Sequence, residues 1–226
     1  VRDWSAEQVK LRGFESPISV RNLSNDIPDA VVDTMLAVVR EQSVLFRRFF
    51  RFKAERLAVD RLRRYDLYAP LTESERTYSF DEAVDLVDES YRDFSPLLAD
   101  HAMRVLNDRH LDAETRADKL DGAFCYGALP DLTPWVLVNF TGKIRDVSTL
   151  AHELGHAVHA MMAADHSVLT FHASMPMAET ASVFGEMLLM DKLLRGESEP
   201  ALRRTLLSTF LDEAYGTIIR QAYFVI

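Results

Sequence analysis

His152-Glu153-Leu154-Gly155-His156 places two imidazoles four residues apart with a carboxylate between them. On a helix, residues four apart share a face, so both rings can reach a single zinc ion at about 2.0–2.1 Å. Glu153, one position round, can then reach a water on that ion. The chemistry this supports is hydrolysis, with the metal as Lewis acid and Glu153 as general base. Chance alone produces such a match on the order of once per hundred chains of this length, so the surrounding residues have to decide.

A catalytic zinc takes three protein ligands and keeps one position open. Glu179 is the candidate third ligand, 23 residues after His156 and near the start of the next helical pattern. An antiparallel return of that helix after the loop 165–176 would complete a His₂Glu site holding one Zn²⁺ per chain. Glu186, two turns after Glu179 on the same face, could accept a hydrogen bond from a ligating imidazole, against the plainer reading of a salt-bridged surface carboxylate. His159 reads first as a hydrogen-bonded core histidine and second as a neighbour of the site. His166 and His172 fall in the loop and read as exposed polar residues, while His101 and His110 carry no spacing signal. Cys125 lies in an apolar run and reads as an inert buried thiol. Met161, Met162, Met175, Met177, Met187 and Met190 read as core filling rather than as soft metal ligands.

The elements that must position these residues are mostly helical. Apolar residues recur at spacings of three and four, and Gly and Pro are sparse. The pattern predicts one long helix or two in line over 31–65, with Pro28 at the first turn. Its basic cluster, Arg47, Arg48, Arg51, Lys53 and Arg56, reads as a solvated face. Ser79-Phe80-Asp81-Glu82 matches a capping box and starts a helix towards Asn107 that Pro96 should kink or divide. Residues 112–118 suggest a short helix or turn. Residues 123–127 and 135–140 are β-branched and aromatic runs separated by a turn, which predicts a hairpin. Helices resume from a cap at Asp146 or Ser148 through Ala163, from about Pro176 to Arg195 with Gly196 as the stop, and from Ser198 and Pro200 to the chain end. No linker or repeat divides the chain, which reads as a single unit: a helical segment 1–119, a zinc-site segment 120–196 and a C-terminal helix 197–226.

The net charge of −9 opposes binding to nucleic acid or an anionic membrane. No apolar run approaches the roughly 20 residues of a membrane span, and no signal-peptide pattern opens the chain. With one cysteine there is no intramolecular disulfide framework, so the expected setting is the cytoplasm. Lacking an initiator Met and ending on the apolar run 221–226, the chain reads as an internal piece of a longer polypeptide.

Asp121-Gly122-Ala123-Phe124-Cys125, the strand ending Asn139-Phe140, the run 146–159 around the two histidines, and Ala178-Glu179-Thr180-Ala181-Ser182-Val183-Phe184-Gly185-Glu186 together resemble oligoendopeptidase F of the thimet oligopeptidase family. Tyr65-Asp66-Leu67-Tyr68-Ala69-Pro70-Leu71 fits it too, so the similarity covers most of the chain. The resemblance implies a mainly α, zincin-like metallopeptidase with a small β element beside the metal-site helix. It implies zinc at His152, His156 and Glu179, general-base chemistry at Glu153, and short peptides as substrates reaching a deep channel. It also implies that the family's oxyanion-stabilising His and Tyr residues lie beyond this chain. Tyr215 and Tyr223 do not stand in that motif, and losing one such donor typically costs about 10²–10³ in kcat. Two alternatives stay open: a noncatalytic helical module with an incidental or structural metal site, and a zinc hydrolase acting on another bond. Oligomeric state carries no sequence signal.

Overall fold

The computed structural model describes residues 1–71 and 76–225, so Ile226 of the apolar end lies outside the described residues. It is mainly helical with one small sheet, as expected. The chain divides into two compact units, 1–71 with 207–226, and 72–206.

The first unit holds α1 (Arg2–Ala6), a π-helical turn (Glu7–Leu11), α2 (Pro17–Ser24) and α3 (Asp29–Arg56). Pro28 is the N-cap of α3, not its first turn. The long helix predicted over 31–65 stops at Arg56 because Ala58 turns left-handed at φ 53°. Its N–H then bonds Glu55 O and that of Val59 bonds Ala54 O, which closes the helix end in a Schellman motif. Val39 of α3 packs with Ile219 and Ala222, and Phe50 meets Tyr215 edge to face at 4.7 Å. The Lys53 side chain is fully buried; its ammonium donates to Leu67 O at 2.7 Å and to Asp212 Oδ2 at 2.6 Å. That one cation ties α3, the 64–71 segment and α8 (Pro200–Ala214) together.

The second unit carries the motif. Ser79 and Glu82 form the predicted capping box of α4 (Phe80–Phe94). Pro96 divides rather than kinks the helix, because the residue before a proline avoids the α region. Ser95 is extended (φ −157°, ψ 122°), and α5 (Pro96–Asn107) starts afresh. The predicted hairpin forms between β2 (Phe124–Tyr126) and β3 (Trp135–Leu137), with Cys125 opposite Val136. A third strand, β1 (Leu111–Asp112), pairs parallel to β3, so the order is β1-β3-β2. Over 112–118 no helix forms: Asp112 ends β1, a turn stands at 117–118, and the Asp112/Arg116 spacing serves a bidentate ion pair with both contacts at 2.7 Å.

The site-bearing helix α6 (Ile144–Met162) begins earlier than predicted. Asp146 sits inside its first turn and accepts from the N-cap Lys143 N and, just ahead of the helix, from Thr141 N and Thr141 Oγ1. Then α7 (Met175–Gly196) runs one residue past its expected stop, and the last predicted helix is α8, a π-helical stretch (Tyr215–Arg220) and α9 (Gln221–Val225). The core of this unit joins Val87 and Tyr91 of α4, Val105 of α5, Leu150 and Leu154 of α6, Leu189 of α7 and Val136 of β3. Among the described residues, no helix is long and apolar enough to cross a membrane.

Candidate metal centre

Two glycines set how α6 and α7 meet. A Cβ on Gly155 would lie 2.9 Å from both Ala181 O and Ser182 Cα, and one on Gly185 would overlap the Tyr91 hydroxyl and sit 3.0 Å from Ala151 O. Residue 155 therefore lies against 181–182 and residue 151 against 185, so the helices run antiparallel in near backbone contact. Larger residues at either position would push them apart. Tyr91, fully buried, donates its hydroxyl to Ala151 O and so fastens α4 to α6 one residue before His152.

This approach brings His152, His156 and Glu179 together, with one donor atom from each within 4.8 Å of the others. The imidazole centroids stand 4.8 Å apart and nearly perpendicular, at 84°. Glu179 Oε2 lies 3.4 Å from His152 Nε2 and 3.9 Å from His156 Nε2. Donors about 2.0–2.1 Å from a shared tetrahedral ion stand about 3.3–3.4 Å from each other. The His152–Glu179 pair already meets that spacing, and His156 Nε2 stands about half an ångström further from Glu179 Oε2. The donor set fits zinc: two imidazoles, one carboxylate, and no fourth protein group in the cluster among the described residues.

Each imidazole has its own surroundings. His152 Nδ1 contacts Glu186 Oε1, which leaves Nε2 facing Glu179. The Ala178 backbone near the His156 ring favours its charged form, against the burial that lowers it. Desolvation lowers the His152 imidazole, but the Glu186 carboxylate, with Glu153 and Glu179 behind it, outweighs burial and raises its pKa. Desolvation and the neighbouring His152 push His156 the other way, towards the neutral form that can ligate. Glu153 is 6% exposed, and burial raises its carboxyl to about 7. Glu179 is about half exposed, and the fully buried Ser182 places its Oγ 3.2 Å from Glu179 Oε2.

The remaining candidates lie apart from this cluster. His159 is half-buried and reaches it only as a charge acting on His156. His166 and His172 are exposed, and the His172 ring leans on Phe171. His110 bonds Thr133 O and stacks on Trp135 at 4.3 Å. Burial pushes the Cys125 thiol up to about 12, so almost no thiolate exists near neutrality. Core filling holds for Met161 and Met190 but not for Met162, Met175, Met177 and Met187, which are exposed. Tyr91, Ser182 and the Ala178 backbone were not singled out in sequence. Ser182 alone left a trace there, standing three residues after Glu179 on one helix.

A sequence model described as Peptidase family M3 matches residues 2–225. Among curated proteins, the chain is 28% identical over 96% of its length to Group B oligopeptidase PepB of Streptococcus agalactiae. It is 26% identical over 95% of its length to chromosomal oligoendopeptidase F of Lactococcus lactis. It spans only 36% of each of those relatives. Among solved structures, PZ peptidase A with an inhibitor superposes over 94% of this chain and 39% of its own, with a TM-score of 0.76 at 20% identity, a likeness of fold.

Proposed function

The chain belongs to peptidase family M3, and from that premise we propose that it carries the zinc site and general base of an endopeptidase acting on short peptides. The observation that carries this reading is the convergence of His152 Nε2 and His156 Nε2 on Glu179 Oε2, with a buried Glu153 between the two histidines in sequence. His152, His156 and Glu179 would hold the metal. Bound zinc supplies Lewis-acid chemistry that turns water into a nucleophile near neutral pH.

Glu153 takes the proton of the attacking water and returns it to the leaving amine. A base poised near the working pH does this most effectively, and burial raises Glu153 towards that range. Glu186 holds the proton of His152 on Nδ1 and keeps Nε2 free. A peptide suits this site because β2 is an edge strand able to pair with an extended backbone, with the Phe124 and Tyr126 side chains exposed along it. A noncatalytic structural zinc site would ordinarily be closed by a fourth protein ligand, and the cluster has three.

The test is metal content by mass spectrometry after dialysis against trace zinc, together with cleavage of a quenched fluorescent peptide by the full-length protein. About one zinc per chain is expected, lost in Glu179→Ala, with cleavage falling at least about 10²-fold in Glu153→Gln while zinc is retained. Zinc held equally without Glu179, or undiminished cleavage without Glu153, would overturn the assignment.

A further inference from the structure

Glu179 presents a problem of control. Its side chain is about half exposed, whereas a ligand carboxylate has to wait in one orientation. Left to itself, a glutamate on the outer side of a helix samples several rotamers and loses entropy when fixed.

Ser182, one turn further along α7, is fully buried, and its Oγ lies within reach of two acceptors on the same residue: Glu179 O at 3.0 Å and Glu179 Oε2 at 3.2 Å. A hydroxyl has one proton to donate. A serine inside a helix ordinarily gives it to a carbonyl three or four residues back, with no consequence for its neighbours. Here the second acceptor is the same oxygen that faces both imidazoles. Hydrogen bonds to a charged oxygen are the stronger kind, and complete burial removes water as a competing acceptor. Ser182 also has little room to turn elsewhere, because its Cα lies against the bare face of Gly155 on α6.

We propose that Ser182 is a positioning residue that holds the Glu179 carboxylate by Oε2 in the orientation facing His152 and His156. Its proton passes between the helix carbonyl and the carboxylate, so the ligand is steadied without being covered. The inference rests on Glu179 being a metal ligand.

The test is a double-mutant cycle on zinc affinity in the whole chain, read by competition with a chromophoric chelator, using Ser182→Ala, Glu179→Ala and the pair. Alanine keeps the Cβ and favours the helix, so Ser182→Ala should fold with an unchanged melting temperature. The expected result is zinc binding about 10-fold weaker in Ser182→Ala, within the range for groups that orient a ligand. The visible spectrum of the cobalt(II)-loaded variant should shift, and adding Ser182→Ala to Glu179→Ala should cost nothing more. Unchanged zinc affinity and cobalt spectrum in Ser182→Ala, with zinc binding strongly weakened in Glu179→Ala, would remove the role of Ser182 and leave the metal site standing. Equal weakening by Ser182→Ala in both backgrounds would reduce it to general packing. Zinc binding untouched by Glu179→Ala would overturn the ligand assignment itself.

Discussion

Helix α3 spans 28 residues and buries four of them, Val39, Ser43, Lys53 and Ala54, whereas α6 buries nine of nineteen, Glu153 among them. Along α3, Val31, Met35, Val38, Leu45 and Phe52 stay exposed. Both helices carry the period of amphipathic sequence, yet only α6 is enclosed, by α4, α5, α7 and the sheet. The period assigns the helix; it does not say how many sides will be covered. That matters for chemistry, since a carboxylate is pushed towards neutral pKa only where water is excluded around it.

The contrast is sharpest in core substitutions. Leu154→Ala in α6 should cost about 2–5 kcal/mol by urea unfolding, and Met35→Ala in α3 less than about 0.5 kcal/mol. Similar losses at the two positions would mean that α3 is enclosed in solution after all.

Glycines give a second, smaller contrast. Gly185→Ala forces a methyl against Tyr91 and Ala151 O, for an expected loss of about 1–3 kcal/mol, partly recovered by adding Tyr91→Phe. Gly216→Ala, whose new methyl would meet nothing closer than the Tyr68 hydroxyl at 3.4 Å, should instead stabilise by about 0.4–1 kcal/mol. Thermal melts of both variants decide, and a stabilising Gly185→Ala would sink the account of how α6 and α7 meet.

A third contrast is in pH. Glu153 has a folded pKa of about 7 against 4.5 for the free side chain. The folded state therefore binds the proton more tightly, and its contribution is fully present below about pH 4.5 and lost as pH rises through about 7. In chelator-treated protein, stability should decline over that window, and Glu153→Gln should flatten the decline. A rising profile that Glu153→Gln removes would show the carboxyl to be ionised and stabilised instead.

Much of this was legible in sequence, for reasons that differ from residue to residue. His152, Glu153 and His156 could be read because helical spacing converts directly into a shared face, and Ser79 with Glu82 because a capping box is local. Glu186 could be read as a possible partner from its two-turn offset to Glu179, and its contact with His152 Nδ1 now stands in the geometry. The influence of the Ala178 backbone on His156 could not, because every residue has a backbone and only tertiary packing selects one. Tyr91 was equally silent, since its contact with Ala151 spans 60 residues. The two-residue β1 is too short for alternation to show, and the left-handed turn at Ala58 uses a residue with no preference for it.

Lys53 and Asp212 are separated by 159 residues. At synthesis rates of about 5–20 residues per second, the lysine is added roughly 8–30 seconds before its carboxylate exists. The unit built from 1–71 and 207–226 cannot close until that last stretch has been made, while the contiguous stretch 72–206 needs nothing synthesised after it. The stretch holding His152 and His156 is thus the part of the molecule that can fold first during translation, and helix α3 is left waiting with its cation in water.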